Sequence, residues 1–288
     1  TKNGGAYQYL NGTSMAAPHV TGVAALAKAQ FPWESASEIA DRVRMAVDSV
    51  SGLQNYCQSG GRINAAAALG PRPIFINLST RCQVNTGAQI AISGVVIGGS
   101  SAKRVVFRGI GPALSNWGIN NYLSNPKIEI HDISGQLIAS NDDWGSLLQA
   151  DRDELASLGL TPSNTLESAW VGSLSPGNYT VHLFGAGGVT GVGLIESWDV
   201  DGSTVNRLIN LSTRCYVGSG NSVAIAGLAI SGDKARQVCI RALGPTLSAL
   251  GVPGALQDTV ITLYDSNGGQ IAANDDWRDF DGASNALE

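Results

Sequence analysis

The sequence predicts a multidomain chain: an α/β segment over residues 1–70, then two all-β sandwich repeats, 74–205 and 206–288, the second incomplete. Three observations carry this reading. The texture changes at Pro71 and Pro73, from Ala-rich stretches at helical spacing to short β-branched runs broken by Gly, Asn, Asp and Ser. Glycine supplies 36 of 288 residues and charged residues only 14%, a balance that favours turns between short strands. The region after the prolines also repeats itself. Ile76-Asn77-Leu78-Ser79-Thr80-Arg81-Cys82 recurs as Ile209-Asn210-Leu211-Ser212-Thr213-Arg214-Cys215, Arg108-Gly109-Ile110-Gly111-Pro112 as Arg241-Ala242-Leu243-Gly244-Pro245, and Asn141-Asp142-Asp143-Trp144 as Asn274-Asp275-Asp276-Trp277. The offset is 133 residues each time. A constant offset means no net insertion, so the two copies are expected to share one fold.

In chain order, a helix is expected from at or just after Ser14 to about Gln30, with Val20, Val23, Ala24 and Leu26 near helical period and Pro18 close to the first turn. Ser35-Ala36-Ser37-Glu38 is a capping box that opens a second helix through Ile39, Val43 and Val47. A turn follows at Ser51-Gly52, then a short Ala-rich helix ending at Gly70. In the first repeat, 166–171, 179–184 and 191–200 read as strands, with Pro176-Gly177 a turn between two of them. Gly98-Gly99 and Gly185-Ala186-Gly187-Gly188 lack a following Lys or helix, so they read as hairpin turns and not phosphate loops. By offset Glu288 matches Leu155. The second repeat is therefore expected to present an unpaired sheet edge unless the first repeat or another chain covers it.

Bulk properties exclude several classes. A net charge of −5 and a pI of about 5.2 argue against nucleic acid. No apolar run reaches the ~18–20 residues of a membrane span. The cysteines Cys57, Cys82, Cys215 and Cys239 show no metal-ligand spacing. Cys82 and Cys215 occupy equivalent positions and would pair only if the repeats met symmetrically. Cys239 falls opposite Val106, and Cys57 could reach Cys82 only across the linker, so the connectivity stays open.

The run Leu10-Asn11-Gly12-Thr13-Ser14-Met15-Ala16-Ala17-Pro18-His19-Val20 is where the chemistry concentrates. A serine hydroxyl becomes a nucleophile only with a neighbouring base and donors for the oxyanion. Gly12 permits close approach of a substrate backbone, and a helix start at Ser14 leaves its N–H pointing outward. Thr-Ser before an apolar helix, taken alone, is also an ordinary helix cap. The whole string resembles the nucleophile motif of the subtilisin-like serine proteases (peptidase S8), as do Gly5-Ala6-Tyr7 and Gly61-Arg62-Ile63-Asn64-Ala65. The resemblance covers about residues 1–70, the C-terminal part of that family's catalytic domain.

The resemblance implies Ser14 as nucleophile and backbone oxyanion donor, Gly12 and Thr13 against a polypeptide substrate, no required cofactor, and a secreted or cell-surface location. The family's Asp, His and side-chain oxyanion Asn precede the serine and have no counterpart here. His19 belongs to the motif as a structural residue of a buried helix, and His131 and His182 follow the serine, the wrong order for this family. Loss of the His alone costs on the order of 10⁶ in kcat, a figure measured on subtilisin itself. The 288-residue chain is therefore expected to be inactive alone, and its parent a serine endopeptidase. The alternative is a non-catalytic surface or adhesion protein carrying a degenerate protease remnant.

In the repeats, Asp142, Asp143, Asp275 and Asp276, with Asp132 and Asp265 nearby, have the oxygens to hold calcium, against a competing reading as Asx turns before a packed Trp. Arg81, Arg108, Arg214 and Arg241 read as buried or inter-strand ion-pair partners, with a ligand site as the alternative. Pro176-Gly177-Asn178-Tyr179-Thr180-Val181-His182-Leu183 resembles the last strands of pre-peptidase C-terminal domains. That likeness implies accessory modules for secretion, anchoring or substrate contact, including contact with a cell surface or matrix.

Overall fold

A computed structural model describes residues 12–278 apart from 33, 55, 71–73, 204–205, 233–237 and 277. The chain divides into two compact units, 1–235 and 236–288. In the first, α1 (Thr13–Gln30) and α2 (Ala36–Met45) precede the paired strands β1 (Val47–Ser49) and β2 (Gly61–Ile63) and α3 (Ala65–Leu69). The expected capping box forms in full: Ser35 Oγ accepts from the Glu38 N–H at 3.2 Å and Glu38 Oε2 from the Ser35 N–H at 2.8 Å. Val23, Val43, Ala46 and Ala68 make a small core, and Ala27, Phe31 and Ile39 another. Most of α1 lies outside both, and Met15, Val20 and Leu26 are exposed.

The rest of this unit is a β-sandwich. Its strands are β3 (Ile74–Val84), β4 (Ala91–Gly98), β5 (Lys103–Ile110), β6 (Pro126–Asp132), β7 (Leu137–Asn141), β8 (Ser168–Leu174), β9 (Gly177–Gly185), β10 (Gly191–Asp199), β11 (Arg207–Arg214) and β12 (Ile225–Ser231). One sheet has the order β12-β3-β10-β5-β8 and the other β11-β4-β9-β6-β7, with antiparallel pairing throughout. Inward residues of alternating strands close the core between them, among them Val95, Phe107, Ile128, Ile130, Val181, Leu183 and Ile195. On the outer face of the first sheet, α4 (Gln149–Ser157) inserts Leu155 against Val106, Ala169 and Val171. Val106 is therefore buried too, although its neighbours Val105 and Phe107 face the opposite way.

Two expectations change here. Gly98-Gly99 links β4 to β5, and Gly185–Gly188 links β9 to β10; both connections cross from one sheet to the other, so neither is a hairpin turn. Strand pairing also runs across the expected boundary at 205/206. The leading strands of the second repeat complete the sheets of the first: β12 pairs with β3, and β11 with β4.

The two ladders correspond under the 133-residue offset. Arg81↔Ile225 answers Arg214↔Ile92, and Leu78↔Leu228 answers Leu211↔Val95, with a bulge at the corresponding place in each. This is a local two-fold relation, and residues near its axis meet their own counterparts. Thr80 Oγ1 lies 2.7 Å from Thr213 Oγ1, and an isolated bridge joins Gln83 to Tyr216.

An ion-pair cluster fastens the N-terminal helices to β11. Buried Arg42 grips Glu34 with Nε–Oε2 at 2.9 Å and Nη2–Oε1 at 2.6 Å, and its Nη1 donates to Ala68 O and Gly70 O. Arg207 of β11 reaches the same Glu34 Oε1 at 3.4 Å and also pairs with Glu38.

In the second unit, α5 (Pro245–Ala249) precedes a hairpin of β13 (Ile261–Tyr264) and β14 (Gln270–Asn274). Local devices recur at the offset. A Cβ on Gly111 would meet Leu123 O at 1.9 Å, and one on Gly244 would meet Leu256 O at 2.2 Å, so both positions need glycine for close backbone approach.

Candidate active-site serine

α1 begins at Thr13, one residue earlier than the earliest expected start, and Ser14 is its second residue. Gly12 caps the helix at φ 148° and ψ 161°, a conformation essentially reserved for glycine, and makes no side-chain cap. Its carbonyl accepts from Met15 N–H at 3.0 Å and Ala16 N–H at 3.4 Å. The N–H groups of Thr13 and Ser14 are left, among the described residues, without an acceptor at the positive end of the helix dipole. Gly12, Thr13 and Ser14 are all exposed. Pro18 has no N–H to return to the Ser14 carbonyl, which loses its usual partner one turn on.

A hydroxyl beside two outward N–H groups can place a tetrahedral oxyanion within reach of donors. It lacks a base: among the described residues no histidine or carboxylate is hydrogen-bonded to Ser14. His19 donates Nδ1–H to Met15 O at 2.8 Å within its own helix. It is exposed, which corrects its expected burial; α1 turns only Val23 and Ala27 fully inward. His131 and His182 stack on each other at 4.4 Å on the outer face of the second sheet, where His131 Nε2 lies 3.4 Å from Glu129. Burial, with the neighbouring His131, pushes the His182 imidazole below its ordinary range. Gly5, Ala6 and Tyr7 lie outside the described residues.

The acidic motifs serve turns. Asp132 Oδ1 accepts from the N–H groups of Ser134 and Gln136, and Asp265 Oδ1 from those of Asn267 and Gly269. Both carboxylates thus close Asx turns. Asn141 Nδ2 and Asn274 Nδ2 each donate, at 3.0 Å, to the carbonyl two residues on, that of Asp143 and Asp276. Asn141 Oδ1 accepts from Ala169 N–H, and Trp144 Nε1 donates to Asn164 O. Burial, then the adjacent Asp143 charge, pushes the Asp142 carboxyl above the usual range. Among the described residues, no three His, Cys, Asp or Glu side chains gather where they could hold a metal ion, so Asp142, Asp143, Asp275 and Asp276 are not brought into such a group. Trp277 lies outside the described residues.

Arg108 fulfils its expected role, pairing with Glu196 across β5 and β10 at 2.5 Å while Nη1 donates to Leu160 O. Glu167 was missed in the sequence. Fully buried, its Oε1 accepts from the N–H groups of Gly111 and Ala113, and no local pattern links it to a turn more than fifty residues away.

Comparison with known proteins agrees with the N-terminal reading. Residues 1–62 match the subtilase family. The chain is 40% identical over 72 residues to an extracellular serine protease of Serratia marcescens, and 40% identical over 62 residues to subtilisin DY of Bacillus licheniformis. These matches cover 24% and 22% of this chain, but only 7% and 22% of the respective relatives. The pre-peptidase C-terminal domain of a Bacillus anthracis collagenase aligns with 42% of this chain and 89% of its own, at 13% identity and a TM-score of 0.27, a likeness too slight to argue from. The N-terminal segment is thus a subtilase segment, followed by a β-sandwich region. No helix among the described residues is long and apolar enough to cross a membrane.

Proposed function

We propose that residues 1–70 are the C-terminal part of a subtilisin-like catalytic domain, in a parent protein that is a secreted serine endopeptidase acting through an acyl-enzyme on Ser14. The supporting observation is the exposed Ser14 hydroxyl at the mouth of α1, beside the outward N–H groups of Thr13 and Ser14 and the glycine-only turn at Gly12. In this reading Ser14 N–H is an oxyanion donor, and Gly12 and Thr13 contact the substrate backbone. The activating His and Asp come from chain upstream of Thr1. Residues 74–205 and 206–288 are two β-sandwich modules, the second incomplete, that serve secretion, anchoring or substrate contact. The paired turns at Asp132 and Asp265 support one fold for both.

A fluorophosphonate probe tests the assignment. The 288-residue chain should stay unlabelled, and the longer parent should label at Ser14 and lose peptidase activity on S14A. A parent that keeps its activity after S14A overturns the reading.

A further inference from the structure

The cysteines bear on what the two-fold relation does. Cys82 and Cys215 are 133 residues apart and lie between two pairs of counterparts already in contact, Thr80 with Thr213 and Gln83 with Tyr216. Cys82 is 2% exposed in the main core, and Cys215 packs against the same cluster from β11's end. The two thiols are direct neighbours. Hydroxyls 2.7 Å apart on one side and bridged backbones on the other bring the two segments together around this cysteine pair. By contrast, Cys57 is exposed and bonds only locally, to Leu53 O and Ser59 Oγ, and Cys239 is exposed.

We propose that Cys82 and Cys215 are a redox site that closes to a disulfide when the protein meets a small-molecule disulfide oxidant of the glutathione class. The bond would tie the leading strand of the second segment to that of the first. The difference in exposure sets the order of events. Cys215, half-buried where Cys82 is buried, ionises first and attacks one sulfur of the oxidant, expelling the other as a thiolate. Cys82 then gives up its proton and displaces the second oxidant sulfur. Two protein S–H bonds and one oxidant S–S bond become one protein S–S bond and two small thiols; the protein loses two electrons and the oxidant gains them. The inference is independent of the protease reading.

The test is to incubate the folded chain in a mildly alkaline glutathione redox buffer, then alkylate and map it by mass. Two thiols should disappear without a glutathione adduct, and the peptides containing Cys82 and Cys215 should be linked. Cys57 and Cys239 should remain alkylatable, and the C57S/C239S variant should behave as the parent does. In C82S, Cys215 should accumulate as the glutathione mixed disulfide. The urea midpoint should rise on oxidation of the unmodified chain and not of C82S. Cys82 and Cys215 both remaining alkylatable, or either linking to Cys57 or Cys239, overturns the proposal.

Discussion

Thr80 Oγ1 and Thr213 Oγ1 lie 2.7 Å apart at equivalent positions 133 residues distant in the chain. Each hydroxyl finds its partner in its own counterpart, so a change at one site falls on the other. T80V should cost about 1 kcal/mol by stranding the Thr213 hydroxyl, and the T80V/T213V double variant should cost less than the sum of the single changes. Urea unfolding of the four proteins measures the coupling, and additive losses would show that the contact contributes nothing.

The Glu34 cluster makes an asymmetric prediction. R207M leaves Glu34 paired with Arg42 and should cost about 1–2 kcal/mol. E34Q takes the carboxylate partner from buried Arg42, leaves Arg207 with Glu38 alone, and should cost about 3–5 kcal/mol. Limited proteolysis ahead of Ile74 should be faster in both variants than in the parent. Without this tie, the apolar, mostly exposed α1 would leave little to hold residues 12–70 against the sheets. Equal proteolysis rates in R207M and the parent would remove the tie from the account.

Glycine at 111 is required by space, since a Cβ would lie 1.9 Å from the Leu123 carbonyl oxygen. G111A should destabilise the sandwich by about 3 kcal/mol, because backbone must move to admit the methyl. G244A should do the same to the second unit, where Leu256 O stands at 2.2 Å. Calorimetry on each variant reads the effect.

Acid sensitivity should centre on Lys103, a fully buried cation paired with Asp201 and 2.6 Å from Asp199. Burial raises the Asp201 carboxyl, but Lys103 and the N–H groups of Arg104 and Ser203 outweigh it and leave the group below its ordinary value. A depressed folded pKa contributes stability that is complete above the unfolded value of about 3.9 and lost as pH falls through the folded one. D201N should therefore cost about 2 kcal/mol near neutrality and show a shallower acid limb than the parent. Urea midpoints taken from neutral pH down to about pH 2 measure both effects. A D201N acid limb as steep as the parent's would sink the assignment.

Local signals were legible and long-range ones were not. Ser35 and Glu38 announce their capping box because both partners lie within one turn, and the Gly12–Val20 string places Ser14 at a helix mouth for the same reason. A period-two pattern located β9 and a strand-like run β10, yet nothing in the pattern of β11 or β12 says that their partners are β4 and β3. Gly98-Gly99 marks a change of direction without saying which sheet the next strand joins. Asp132 and Asp265 each turn Oδ1 to N–H groups two and four residues away, an arrangement that composition does not separate from a metal site.

The exchange of leading strands has a consequence for biosynthesis. A ribosome delivers residues 74–199 first, and at that moment neither sheet has its outermost strand beside β3 or β4. The β4 edge stays open until Arg214 has emerged, and the β3 edge until Ser231 has. During that interval a nascent neighbour on the same message presents the same strands at the same register, so crowded translation favours entanglement between sister chains.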